Sequence, residues 1–227
     1  MERLIVFTGA GMSAESGIPT FRGTDGLWEN HRVEDVATPE AWDSDPELVT
    51  EFYNQRRKRV LEAAPNAGHA QIARWQEHYD VMVVTQNIDD LHERAGSKQV
   101  LHLHGEIRKA RSTSHPHLVY DIEGWQLTGA DVCEQGSRLR PHIVWFGEDV
   151  PMLDVAARMI EEADLFIVVG TSLQVYPAAA LVHHAWNARK KIIVDPQAHE
   201  LAVKGEWTVV AKGAGEGLAE VDKLFLR

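Results

Sequence analysis

Short runs of consecutive apolar, largely β-branched residues alternate along the chain with longer stretches of helical spacing. The runs Leu4–Thr8, Val81–Thr85, Leu165–Val169 and Lys191–Asp195 read as strands buried on both faces, with Val100–His104 and Trp207–Val210 as shorter ones. Between them, Pro46–Ala63 follows the capping sequence Asp43-Ser44-Asp45 and runs out at Ala63-Ala64-Pro65. Asn66–His78, Asp154–Ala163 and Pro177–Arg189 complete the helical set. This alternation predicts an α/β fold around a mainly parallel sheet flanked by helices. No repeat, low-complexity tract or linker divides the chain, so residues 1–227 read as a single domain. Two stretches break the alternation. Ile18–Ser44, rich in charge, Gly and Pro, reads as a long loop with short helices, and Lys109–Arg140 as a polar, irregular excursion from the sheet.

Composition narrows the function classes. A chain of 227 residues buries enough surface to fold without staples. Its 23 basic and 34 acidic side chains give a net charge of −11, which argues against nucleic acid and against an anionic membrane surface. A lysine-bearing partner suits that field better. The lone cysteine, Cys133, excludes an intrachain disulfide and a four-cysteine zinc site. Apolar runs such as Leu165–Val169 are too short to cross a membrane. With a strand expected from Leu4, no leader is expected, and the cytoplasm is the expected compartment.

The carboxyl ends of the strands, where open α/β sheets bind ligands, are polar. They carry Gly9-Ala10-Gly11-Met12-Ser13-Ala14, Gln86-Asn87-Ile88-Asp89-Asp90, Gly170-Thr171-Ser172 and Asp195-Pro196-Gln197. Their convergence on one cleft says more than any of them alone. The first matches G-x-G-x-x-G/A, a phosphate cradle or a plain tight turn. A hydride-transfer dehydrogenase needs a second strand ending in Asp or Glu about 20 residues on, and Phe21-Arg22-Gly23-Thr24-Asp25-Gly26 offers none. His102 and His104 alternate with Leu101 and Leu103, which on a strand puts both imidazoles on one side. A histidine there is either a general base or a satisfied structural residue. Pro141–Glu148 is a buried strand or an edge for an extended peptide. Tyr53 and Arg56, three apart on the first long helix, share a face and form either a surface packing pair or a carboxylate grip.

The run from Gly9 to Gly23, with Gln86-Asn87-Ile88-Asp89, His104-Gly105, Val144-Trp145-Phe146-Gly147-Glu148 and Gly170-Thr171-Ser172 in that order, resembles the sirtuins, NAD-dependent protein lysine deacylases. The resemblance covers nearly the whole chain. It implies a Rossmann-like sheet with a small inserted module at 106–142, a cofactor loop and helical segment of the small lobe at 14–65, and NAD consumed as a co-substrate. It places Gly9, Ala10, Gly11, Phe21, Arg22 and Trp28 in the cofactor pocket and its loop. Gln86, Asn87, Ile88 and Asp89 fall on the nicotinamide and ribose side, and Gly170, Thr171 and Ser172 on the phosphate and ribose side. Asp195, Gln197 and Ala214 fall toward the adenosine. His104 becomes the general base, with Asn87 also catalytic, and Val144, Trp145, Phe146 and Gly147 hold the acylated-lysine protein or peptide. The implied scheme is attack of the acyl-lysine oxygen on the nicotinamide ribose with loss of nicotinamide. His104 then deprotonates a ribose hydroxyl, and the acyl group passes to ADP-ribose.

Val33–Pro39 and Phe52-Tyr53-Asn54-Gln55-Arg56 resemble a branch that removes succinyl and malonyl groups. There Ala37 leaves room for the acyl chain, Tyr53 with Arg56 grips its carboxylate, and deacetylation is a second activity. The runners-up are an NAD glycohydrolase or ADP-ribosyltransferase using the same cleft, and a silent binding module. Two departures stand out. Asp195-Pro196 stands where the family has Asn. The inserted module has Ser112-Thr113-Ser114 where its first zinc-binding cysteine pair begins, and of the second pair only Cys133 remains. His115 and His117 do not complete a ligand set of recognisable spacing, so the module is expected to fold without zinc on Leu118, Tyr120, Ile122, Trp125 and Leu127. Elemental analysis of the purified protein is therefore expected to find no stoichiometric zinc; one tightly bound equivalent would overturn that expectation.

Overall fold

The computed structural model describes residues 1–20, 27–28, 31–201, 203 and 205–225, with Leu27, Trp28 and Phe225 described by their backbone. The chain runs β1 (Arg3–Thr8), α1 (Gly11–Ala14), β2 (Leu27–Trp28), β3 (His31–Arg32), α2 (Val33–Val36), α3 (Pro39–Ser44), α4 (Pro46–Glu62) and α5 (Ala67–Trp75). It continues with β4 (Asp80–Thr85), α6 (Leu91–Arg94), β5 (Val100–His102), β6 (Gly105–Ser112), β7 (Val119–Asp121) and β8 (Leu139–Ile143). Last come α7 (Leu153–Glu161), β9 (Leu165–Val169), β10 (Lys190–Val194), β11 (Thr208–Val210) and α8 (Ala214–Phe225).

The main sheet has six parallel strands in the order β11-β10-β9-β1-β4-β5. The order reverses at β1, between β9 and β4, which is the switch point where doubly wound sheets open a crevice. Strand alternation sends Leu4 and Val6 to one face, against Ile72 and Trp75 of α5 and Leu218 and Val221 of α8. Ile5 and Phe7 go to the other, against Ala156 and Ile160 of α7 and Leu181 and Val182. With both faces covered, the strands can be continuously apolar.

A second body is built from α2, α3, α4 and an antiparallel sheet, β7-β6-β8. Helix α4 starts where Asp45 accepts a hydrogen bond from the Leu48 amide and Pro46 occupies the first turn. Two of its buried polar side chains tie it to the sheet. Asn54 exchanges a pair of hydrogen bonds with the Leu127 backbone, and Arg57 donates to the carbonyls of Ile107 and Trp125.

Several expectations shift. The Lys109–Arg140 excursion is ordered as β7 and the facing parts of β6 and β8, because its polarity lies on one exposed face while Ala110, Ile122, Leu127, Cys133 and Leu139 pack together on the other. Leu118 and Tyr120 join that cluster, whereas Trp125 lies under the Lys58 ammonium. Pro177–Arg189 forms a 3₁₀ helix over Ala178–His184. The strand expected over Val100–His104 ends at His102. Gly105 then sits at φ +82, and a Cβ there would lie 2.1 Å from the His142 carbonyl oxygen, so only glycine lets the chain turn into β6.

His69 and His92 are fully buried between α5, α6 and the sheet, with ring centroids 4.8 Å apart. Burial lowers the His69 pKa to about 4 and holds His92 well below its ordinary value. Between pH 4 and 6.5 the unfolded chain takes up protons that the folded chain refuses. Stability is therefore full above about pH 6.5 and is lost as pH falls toward 4. From His69 alone the loss from pH 7 to pH 5 is expected to be about 2 kcal/mol. Thermal unfolding at the two pH values checks this, with the slope expected to flatten in His69→Gln.

Candidate functional site

The loops that leave β1, β4 and β9 meet over the switch point. After β1 the Gly9 amide donates to the Val169 carbonyl and the Gly11 amide to the Gly170 carbonyl. Gly170 has φ +61, and a Cβ on it would stand 2.3 Å from the Met12 nitrogen, so the two loops touch backbone to backbone. Gln86 donates to Thr171 Oγ1 at 3.1 Å, joining the β4 loop to the β9 loop.

The β4 loop is fixed from below by a buried hydrogen-bond chain. Thr8 Oγ1 accepts from His92 Nε2 (3.1 Å) and donates to Thr85 Oγ1 (2.8 Å), which also accepts from the Asn87 amide (3.0 Å). The Asn87 side chain donates to Ser13 Oγ, and Ser13 donates to Asp89 Oδ2 at 2.9 Å. Burial raises the Asp89 pKa, while the Leu91 amide, Ser13 and the nearby His102 oppose the rise.

His104 hangs over this loop with Nδ1 3.0 Å from the Gln86 carbonyl oxygen. A carbonyl only accepts, so Nδ1 carries the proton and Nε2 is the basic nitrogen. Burial, partly offset by that bond, lowers the His104 pKa and keeps the ring neutral near pH 7. Such a group can take a proton from a hydroxyl.

The opposite wall comes from α4 and the segment after β8. Tyr53 is fully buried and burial raises its phenol pKa, so it faces the cavity as a neutral hydroxyl beside the Arg56 guanidinium. Segment 144–147 is held at both ends. The Val144 amide donates to the His104 carbonyl, and the Phe146 amide to the Ala37 carbonyl. Glu148 accepts from Arg140 (2.7 Å), Arg111 (3.1 Å) and the Trp145 amide (2.8 Å), and the Arg140 guanidinium lies 3.3 Å from the Trp145 ring centroid. Burial pushes the Glu148 carboxyl up, but these partners outweigh it and hold it below its usual range.

One cavity thus gathers Gly9, Ala10, Gly11, Gln86, Asn87, Ile88, Asp89, His104, Gly170, Thr171 and Ser172 on the sheet side. Facing them are Ala37, Tyr53, Arg56, Val144, Trp145, Phe146 and Gly147.

The Sir2 family model matches residues 9–177. The chain belongs to the Sir2 family. A relative from Bacteroides thetaiotaomicron, named NAD-dependent protein deacylase, is 46% identical over 100% of this chain and 99% of its own length. A Helicobacter pylori protein of the same name is 50% identical over 87% of this chain and 86% of its own. Among solved structures, a Sir2 homolog–NAD complex superposes with TM-score 0.88 at 41% identity, covering 97% of this chain and 88% of that one. A Sir2–p53 peptide–NAD⁺ complex superposes with TM-score 0.80 at 32% identity, covering 97% and 92%.

Not every expected residue of this Sir2 chain reaches the cavity wall. Asp195, buried after β10, accepts from the Gln197 amide, and Ala214 opens α8 against Gly68; all three lie beyond the described lining. Phe21 and Arg22 lie outside the described residues, and Trp28 is described only as backbone paired with His31. Ser13, Arg59, Glu148 and Tyr176 also line the cavity without having been singled out as site residues. Arg59 follows Arg56 by three on the same helix, a spacing that could have found it. His102, paired with His104 by alternation, does not line the cavity.

The residues at the zinc-module positions do not fit a zinc centre. Cys133 is hydrogen-bonded to Ser112 and to the 135–137 backbone, and among the described residues no three His, Cys, Asp or Glu side chains converge.

Replacing Glu148 with Ala leaves two largely buried guanidinium groups without their shared carboxylate. A loss of about 3–5 kcal/mol in unfolding free energy is expected, measured by denaturant titration.

Proposed function

We propose that this protein is an NAD-dependent protein lysine deacylase. The observation that carries the reading is the single cavity in which His104, the Gln86–Asp89 loop and two glycine-rich loops face an apolar wall that includes segment 144–147. The donor set suits NAD: glycine backbones that permit close approach, with amide, hydroxyl and carboxylate groups beside them. Gly9, Ala10, Gly11, Gly170, Thr171 and Ser172 would hold its phosphates and ribose. Gln86, Asn87, Ile88 and Asp89 would hold the nicotinamide side, and Asp195, Gln197 and Ala214 the adenosine end. Phe21, Arg22 and Trp28 complete the assignment by family resemblance. When bound, NAD supplies an electrophilic ribose carbon and the ADP-ribose acceptor for the acyl group.

The chain's own residues bind, orient and move a proton. His104 Nε2 accepts the proton of a ribose hydroxyl, its ring held by the Gln86 carbonyl. Asn87, locked between Thr85 and Ser13, orients the reacting end. Val144–Gly147 takes the peptide, and Trp145 lines the acyl-lysine channel. The small lobe, expected to fold without zinc, supplies the far wall through residues such as Ala37, Tyr53, Arg56, Arg59 and Ile107. Protein or peptide substrates suit the acidic chain, and nucleic acid and membranes do not. A cytoplasmic location is part of the same reading, supported by the single cysteine; no helix among the described residues is long and apolar enough to cross a membrane.

Succinyl- and malonyl-lysine are the preferred substrates, with acetyl-lysine second. Ala37 leaves depth, and Tyr53 with Arg56 offers a neutral hydroxyl and a guanidinium to a distal carboxylate in a water-poor pocket. Nicotinamide release should require an acyl-lysine peptide and yield O-acyl-ADP-ribose by mass spectrometry. Release without peptide would point to an NAD glycohydrolase or ADP-ribosyltransferase. Arg56→Met is expected to lower kcat/KM for succinyl peptide on the order of 100-fold while leaving acetyl peptide within a few-fold. Unchanged desuccinylation in Arg56→Met would refute the acyl assignment. His104→Ala should reduce deacylation by about 10²–10⁴-fold.

A further inference from the structure

His102 and His104 each grip a carbonyl of the β4 loop, but in different chemical states. His104 meets one acceptor, the Gln86 carbonyl. His102 meets two. Its Nδ1 is 2.9 Å from the Asn87 carbonyl oxygen, and its Nε2 is 2.8 Å from Glu93 Oε1 on α6. Neither partner has a hydrogen to give: the Asn87 carbonyl only accepts, and the surface Glu93 carboxyl, though partly desolvated, is held below its ordinary pKa by the His102 bond and charge. Both ring nitrogens must donate, and an imidazole that donates twice is an imidazolium. Two residues apart, the chain therefore sets a cation behind the loop and a neutral base in front of it.

We infer that His102, held as an imidazolium by Glu93, is a positioning residue for the cofactor side of the site. It clamps the Asn87 carbonyl from behind, so the Asn87 side chain points to Ser13 and on to Asp89, and its charge favours the ionised form of Asp89. The inference rests on the reading of residues 86–89 as the nicotinamide-side loop. His102 touches none of the cavity, so it acts only through Asn87 and Asp89.

The groups around it are few. Glu93 and His92 face it from α6, Asp89 from the loop and Glu106 from β6. Burial alone would discharge the ring. The Glu93 bond and charge, the Asn87 carbonyl and Glu106 outweigh burial and raise its pKa, whereas buried His92 stays neutral. Glu93 is itself on the surface, so its replacement leaves the core intact.

The test combines NMR of the histidine rings with calorimetric NAD binding, using the full chain. In the wild type His102 is expected to keep both ring protons through pH 6.5. In Glu93→Gln, where the amide still reaches Nε2 but the charge is gone, its titration should move below that of a free histidine. NAD affinity should fall by about tenfold, the scale of one charge-assisted hydrogen bond. The kcat for deacylation at saturating NAD should stay within about threefold, because His104 is untouched. His102→Gln, which keeps one donor for Asn87, should retain more affinity than His102→Leu. A His102 that is neutral at pH 6 overturns the inference. So does Glu93→Gln with a discharged ring and unchanged NAD affinity. Wild-type protein that binds no NAD overturns the reading of the site and the inference with it, an outcome distinct from both.

Discussion

The site depends on backbone-to-backbone contact at the carboxyl ends of β1 and β9. Gly9 and Gly11 press against Gly170 so closely that a methyl group on any of the three would meet backbone or a Thr171 side-chain carbon within 3 Å. That contact holds the two loops level over the switch point, and Gln86 bridges to Thr171 from the third. Were the loops to part, the cavity would lose its floor, and the groups on the β4 loop would have nothing to face. A parallel sheet makes the contact possible because every strand releases its loop on the same side.

Above that floor, the polar groups are arranged by acceptors that cannot donate. The carbonyls of Gln86 and Asn87 each claim an N–H of a histidine, and in doing so fix which nitrogen is left over. His104 keeps a basic nitrogen because it has one such acceptor, and His102 loses its own because it has two. Burial pushes in the same direction for both rings, so the difference between them comes from Glu93. The carboxylate of Glu148 does comparable work on the far wall, gathering Arg111, Arg140 and the Trp145 amide. It aligns segment 144–147.

In the small lobe, packing is joined by buried polar bonds between α4 and the backbone around β6–β8. Asn54 and Arg57 on α4 satisfy the backbone of Leu127, Ile107 and Trp125, and Cys133 hydrogen-bonds to Ser112. Arg57 is fully buried, and burial lowers its pKa to about 10. Its role is to donate to the carbonyls of Ile107, in β6, and Trp125, in the segment between β7 and β8.

The sequence by itself determined the sheet, because runs such as Leu4–Thr8 and Leu165–Val169 can only be buried on both faces, and it determined which loops lie at the strand ends. The motif residues 9–11, 86–89, 104 and 170–172 were legible together for the same reason: chain direction in a parallel sheet puts them on one side. The tertiary structure decided the rest. Period-two alternation put His102 and His104 on one face, but Gly105 turns the chain after the strand has ended and sends only His104 to the cavity. The polarity of 109–140 concealed three strands, since a small antiparallel sheet buries one face and its apolar residues are sparse in sequence. Glu148 and Glu93 had no individual role assigned in the sequence, because their partners are distant in sequence or brought round by a turn. A charge acquires a role only from what lies within a few ångströms of it, and that distance is set by the fold.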